Sequence, residues 1–355
     1  MQSCMIILTS NIIIITMVLL SYYLNSASNK GIYFGVRIPK KYQESSEIKA
    51  LDKDYKRKIL YIFGVYFVIT NVFIISNLKA SESILSMIMT ISLIGALLIH
   101  TILFGIYYKK IKELKENNSW NYKTSNVVVV DTTLRKPKKN EKYKALNQKF
   151  FLIPILISII ILVLTILRRE YILNMNPYDI YKIPVNQIIM CIFIFVLIKI
   201  TLNSKVDLNS GNIEIAVKRK KRFRRLISIF IFITEIEMLL LYSTIQLGII
   251  YEIYTKSLEG FINIVISISM LIFIIAFILI GQGGRNIKED SEGDDLYKDD
   301  DDKWVWGMFY YNKNDLALMV EKRVGIGYTI NFANKKAIIL LVLLIVLIII
   351  FSIYD

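Results

Sequence analysis

Eight apolar blocks organise this chain, at approximately 4–24, 59–78, 84–108, 150–167, 184–203, 226–248, 261–281 and 337–354. Each is long enough to cross roughly 30 Å of hydrocarbon as a helix rising about 1.5 Å per residue. The 355 residues are 55% hydrophobic, with a mean hydropathy of +0.50, and their apolar residues come in blocks. A soluble domain would spread them periodically. The pattern specifies an all-α polytopic membrane protein of about eight transmembrane helices. The first block has no basic segment before it and no small-residue cleavage site after it, so it reads as a retained span.

Charge orients the spans. Of 44 Lys and Arg, 38 fall in the loops after spans one, three, five and seven. By the positive-inside rule those loops face the cytoplasm and both termini lie outside. The richness in Ile, Lys and Asn looks like the bias of an AT-rich bacterial genome, so a bacterial cytoplasmic membrane is the expected location. The net charge of +15 therefore reflects topology, and no nucleic-acid partner is expected. The densest cluster, "KRKKRFRR", comprises Lys218, Arg219, Lys220, Lys221, Arg222, Arg224 and Arg225 around Phe223. Abutting the sixth span, it is expected to face anionic lipid headgroups, so membrane lipids are the first expected partner.

The loops carry short folded pieces. In the first, Ile48, Leu51, Tyr55 and Ile59 recur at helical spacing after Pro39, which specifies an amphipathic helix running into span two. "SNVVVVDTT" in the second loop reads as a strand, and "VDLNSGNIEIAV" in the third as a hairpin. In the fourth, "WGMFYYN", "LALMVEKR" and "GIGYTINFA" read as three strands. Together they are expected to form a small cytosolic β module. The domain division is a seven-span region over 1–281, an acidic loop plus β domain over 282–336, and a final helix over 337–355.

The run "YKDDDDK" before Trp304 matches all but the leading residue of a common epitope tag. Set between a span and strand-like aromatics, it reads as native. Its aspartates lack the interleaved spacing and glycine of a calcium loop and read as a solvated run pairing with "KRKKRFRR".

"DDDDKWVWGMFYYNKNDLALMVEKRVGIGYTINFANKKA" resembles the C-terminal domain of unknown function of multi-pass membrane proteins from low-GC Gram-positive bacteria. "GVRIPKKY" and "EIKALDKDYKRK" in the first loop resemble the same proteins. Those are similar to the immunity protein for the sporulation-delay toxin, a membrane protein that also sequesters a transcriptional repressor. Of that relation's extracytoplasmic motif, Ile183 and Pro184 are present, whereas the His-Phe and the Gly are absent. The resemblance implies an interaction, sensing or immunity-type protein with a cytoplasmic regulatory or ABC-type partner.

No hydrolase, nucleotide-binding or metalloprotease signature occurs, so the chain is not expected to be an enzyme, and no cofactor or metal is expected. "GQGGRN" from Gly281 reads as the stop of the seventh helix. The intramembrane polar candidates are Glu235, Glu237, His100 and Asn71. A charge at mid-bilayer costs on the order of 2.5–3.5 kcal/mol, so Glu235 needs a partner or a proton. Glu235 and His100 lie at similar depths, about 14 and 12 Å from the basic side, and are expected to face each other with Asn71 nearby. The alternative function is a proton- or ion-coupled transporter using Glu235.

Overall fold

The computed structural model describes residues 2–120, 143–169, 177–204, 213–253, 255–287 and 299–353. It is mostly helical, with a small C-terminal region of short strands. The helices are α1 (Gln2–Tyr22), α2 (Leu24–Ala27), α3 (Ser46–Ser76), α4 (Glu82–Asn117), α5 (Leu152–Leu167), α6 (Pro177–Leu202), α7 (Ile213–Tyr251), α8 (Lys256–Ile280) and α9 (Lys335–Ile353). Among the described residues, six helices are long and apolar enough to cross a membrane: α3, α4, α5 with its lead-in, α6, α7 and α8.

Packing divides the bundle. Helices α1, α3 and α4 pack together, as do α5, α6 and α7, and α8 lies against both α1 and α7. The sequence explains the longest helices. α3 starts at the N-cap Ser45, whose hydroxyl accepts from the Ile48 N–H, and runs without a break into the apolar stretch. Ile48, Tyr55 and Ile59 are buried along one face, as the helical spacing predicts. α4 has 36 residues and is therefore about 54 Å long, well beyond the apolar layer. Its last turns carry Lys115 out at the basic end of the bundle. α8 ends at Gly281, with φ +70°, as the glycines predict.

Two expectations are corrected. The hairpin expected in the third loop is not formed, because Ile213 onward belongs to α7; residues 205–212 lie outside the described set. Residues Ala216, Val217, Lys220, Phe223, Arg224 and Ile227 are buried at three- and four-residue intervals, which only a helix allows. Ile183 and Pro184, expected in a loop, lie inside α6. Proline lacks an N–H, so it leaves the Ile180 carbonyl one turn earlier without its helical donor. The Gln246 side-chain amide from α7 donates to that carbonyl at 3.0 Å. "SNVVVVDTT" (125–133) lies outside the described residues.

Among the described residues the strands form three two-stranded antiparallel sheets: β1 (Ile32–Tyr33) with β2 (Val36–Arg37), β3 (Trp304–Val305) with β4 (Phe309–Tyr310), and β5 (Met319–Glu321) with β6 (Tyr328–Ile330). A bridge from Tyr310 to Asn331 joins β4 to the end of β6. β4, β5 and β6 fall within the three strand-like runs of the sequence, whereas β3 precedes the first of them, where Trp306 and Gly307 form a turn, and β1–β2 arises where only a basic loop is legible.

That first hairpin is the seed of the largest core. Its two-residue turn, Phe34-Gly35, has positive φ at both positions, 45° and 85°. Such a turn normally takes Asn or Gly. Phe34 is held there by burial, with its ring 4.8 Å from Tyr55 of α3 and 5.3 Å from Tyr107 of α4. The β3–β4 tip repeats the pattern with Trp306 at φ 51° and Gly307 at φ 70°. The two tips meet glycine to glycine, and a Cβ on Gly35 would lie 2.7 Å from the Gly307 Cα. We predict that Gly35→Ala in the purified full chain makes residues 299–334 protease-sensitive. Gly64→Ala on α3, where a Cβ meets nothing within 4 Å, should leave the cleavage pattern unchanged.

Candidate functional sites: a charged clasp and a buried glutamate

Where the two hairpin tips meet, the acidic run closes around basic side chains. Arg323, after β5, is 2% exposed and splits its guanidinium between two carboxylates. Nη1 donates to Asp301 at 2.5 Å and to the Gly35 carbonyl at 2.9 Å, and Nη2 pairs with Asp300. Arg37 of β2 donates from Nε to Asp300 at 2.8 Å and from its backbone N–H to Asp301 at 3.1 Å. Lys115 of α4 reaches Asp299 at 3.0 Å and Asp301 at 2.7 Å. Arg323 also lies over the Trp304 ring, 5.4 Å from its centroid.

Three aspartates thus meet three basic residues drawn from the first loop, α4 and the C-terminal strands. The solvated-run expectation is corrected: Asp299, Asp300 and Asp301 are taken into the fold, and Asp302 alone of the four is exposed. Their partners are Arg37, Lys115 and Arg323. From "KRKKRFRR", Lys220 pairs with Glu321 of β5. Within that cluster Arg219, Lys220 and Arg224 are buried, Lys221 and Arg222 half-buried, and Lys218 and Arg225 exposed. Arg224 donates to the Ser204 carbonyl at 2.8 Å, and Arg222 stacks on Tyr143, 4.3 Å from its ring.

Further bonds tie the C-terminal segment to other helix ends. The Gln282 side chain, just past α8, accepts from the Gly327 N–H at 2.7 Å and donates to the Gly327 carbonyl at 2.8 Å. Asn29, just past α2, donates from its side chain to the Lys322 carbonyl at 2.7 Å and from its backbone to the Arg323 carbonyl at 3.1 Å. Arg285 donates to the carbonyls of Asn25, Ser28 and Asn29, filling the open end of α2. Gln282, within the glycine-rich stop of α8, therefore docks the turn between β5 and β6.

The polar residues inside the bundle are arranged differently from expectation. His100 meets Ser21 of α1, with Nδ1 and Oγ 2.8 Å apart, and Asn71 donates to Asn11 of α1 at 2.9 Å. Both contacts stitch α1 to its neighbours. Glu235 lies on α7, in the other trio of helices, so it does not meet His100. It is fully buried, and among the described residues neither carboxylate oxygen has a hydrogen-bond partner. Glu237, two residues on and 8% exposed, also has an unpartnered oxygen, Oε2.

Around Glu235 runs a polar seam that an inspection for charged residues misses. Ser158 of α5 lies 3.6 Å from the Cys191 sulfur of α6. Gln187 of α6 donates to Ser243 at 2.9 Å and to the Leu239 carbonyl at 3.2 Å. Gln246 of α7 donates to Thr165 of α5 at 3.0 Å. Each set recurs at helical spacing: Ser158 and Thr165, Gln187 and Cys191, and Glu235, Ser243 and Gln246. That periodicity of small polar residues within apolar blocks is the signal in the sequence. Both glutamine amides are oriented by carbonyl acceptors, which leaves the Gln187 and Gln246 Oε1 atoms without donors.

Burial alone raises the Asp300 carboxyl, but the Arg37 and Arg323 guanidiniums overcome this and hold it at about 2. The unfolded value is about 3.9, so the clasp is fully stabilising above that and is lost as pH falls toward 2. We predict that residues 299–334 stay protease-resistant down to about pH 4 and open below it. Arg323→Ala takes one partner each from the half-buried Asp300 and Asp301, which keep Arg37 and Lys115, and should make residues 299–334 more protease-sensitive at neutral pH. Arg323→Lys keeps the charge but loses the fork and should be intermediate in the same digestion assay.

Residues 313–338 match the model of a family of unknown function (DUF5808). That stretch begins after β4, includes β5 and β6, and ends in the first turn of α9. No curated protein and no solved structure matches the chain.

Proposed function

We propose that this chain is an eight-span protein of the bacterial cytoplasmic membrane, with both termini outside, that acts through interaction. It senses or resists an agent at the membrane, in the manner of an immunity protein, and passes that event to a cytoplasmic regulatory or ABC-type partner. The reading is non-enzymatic and requires no cofactor. One observation carries it: the C-terminal strands hold the ends of helices from both halves of the bundle. Lys115 comes from α4, Lys220 from α7, Gln282 follows α8 and Asn29 follows α2. A shift of any of these helices must strain or break a contact of the strands, which are the part placed to meet a soluble partner.

The test is recovery of the full chain, tagged at its N-terminus, from gently solubilised native membranes. A regulator or ATPase near stoichiometry with wild type, and lost with Arg323→Lys at equal abundance, is the expected result. Recovery of both proteins alone counts against the reading.

A second reading, a proton- or ion-coupled carrier, is favoured by Glu235. A buried carboxyl without a donor is stable in apolar surroundings only when it holds a proton or a cation. Proteoliposomes of the full chain should then show an ion or proton flux that Glu235→Gln lowers at least tenfold. Equal flux in the two proteins removes the carrier.

A further inference from the structure

Several large apolar side chains of the C-terminal segment are left in the open. Trp306 is 68% exposed, Leu316 91% and Phe309 40%. Trp306 and Phe309 stand edge to face, 6.3 Å apart, and Phe309 meets Phe332 in the same way at 5.5 Å. A cluster of this kind on a water-facing surface is disfavoured and marks a surface with a partner. Trp306 adds a second sign. Its φ of 51° is a left-handed conformation rare for a bulky aromatic, held at a position where the ring gains no burial.

The position of these residues identifies the partner. All of them hang from the segment that leads into α9. The Phe332 N–H donates to the Tyr310 carbonyl at 2.9 Å, which fixes β4 against that segment. Asn331 donates from its side chain to the carbonyls of Asn312 and Asp315, at 2.9 and 2.8 Å. Asn334 donates to the Leu316 carbonyl at 3.0 Å. Lys335 and Lys336 follow at once, both exposed, and then the unbroken apolar run of α9. Phe332 precedes Lys335 by three residues, at most about 10 Å of chain. The side chains that water would exclude therefore sit on strands and turns tied to the segment that leads into an apolar helix, beside two lysines suited to lipid phosphates. Trp prefers this boundary between headgroups and acyl chains, and Phe and Leu gain by burial on its apolar side.

We propose that Trp306, Phe309, Leu316 and Phe332 form an apolar collar around the base of α9 that inserts into the lipid interface. The collar pins the strands to the bilayer surface, with Lys335 and Lys336 at headgroup level. The inference rests on α9 as a membrane span.

The experiment uses the full chain in phosphatidylcholine nanodiscs. Of the three tryptophans, Trp120 and Trp304 are buried, so the difference between wild type and Trp306→Phe isolates the exposed one. Its emission should be blue-shifted, and acyl-chain-brominated lipid should quench it at least twofold. A red-shifted, unquenched Trp306 overturns the collar. A second probe avoids dependence on Trp306: a spin label at Leu316→Cys, with Cys4→Ser and Cys191→Ala. Relaxation by molecular oxygen should exceed relaxation by a water-soluble nickel chelate. The reverse order overturns the proposal, and so does protection from both reagents, which assigns the patch to a protein neighbour. A label at Ile345→Cys separates the two readings. Oxygen access there with a water-exposed Leu316 sinks the collar alone, whereas nickel access at both sinks α9 as a span and the collar with it.

Discussion

The architecture at the basic end depends on one guanidinium. Arg323 is buried and joins two carboxylates of the acidic run to the backbone of the Phe34-Gly35 turn. A buried arginine is tolerable only when its planar donors are matched, and here the match comes from residues far apart in the chain. Around it the charges balance locally, three aspartates against Arg37, Lys115 and Arg323. The close meeting of Gly35 and Gly307 follows from the same contact, since the fork reaches the Gly35 carbonyl only if the two backbones approach without side chains.

The clasp gives meaning to two stretches separated by some 260 residues. The first-loop hairpin and the C-terminal strands are halves of one interface. Phe34, Val36 and Ile38 fill the core between α3 and α4, and Met308 and Val324 pack onto that cluster from the C-terminal side. The four strands after the acidic run are too short to be stable alone and are held by this docking. The tag-like aspartates have specific partners, which accords with a native role.

Inside the bundle the opposite economy holds. The polar side chains of α5, α6 and α7 are partly matched, and the matches repair local defects, as when Gln246 occupies the carbonyl freed by Pro184. Among the described residues, Glu235 goes without such a repair at both carboxylate oxygens. A low-dielectric interior makes that omission expensive, so it either carries a proton or serves a cation. Thus one end of the molecule sets acidic and basic side chains against each other, and the middle places a carboxyl that no described residue pairs.

The sequence by itself determined the long apolar helices, three of the four C-terminal strands, the continuous α3 and the glycine stop of α8. These depend on block length, on periodicity and on local backbone preference, which are properties of neighbours in the chain. It also singled out Glu235 as a polar residue in an apolar block. Only the tertiary structure decided the partners. Glu235 and His100 share a depth but belong to different helix trios, and depth carries no information on which helices adjoin. "IEIAV" alternates like a strand, yet becomes helix because its buried face continues into Lys220, Phe223 and Arg224. The aspartate run looked solvated because a charge run usually is. Its burial required Arg37, Lys115 and Arg323 to converge from three separate segments, and such convergence of distant charges leaves no local mark in a sequence.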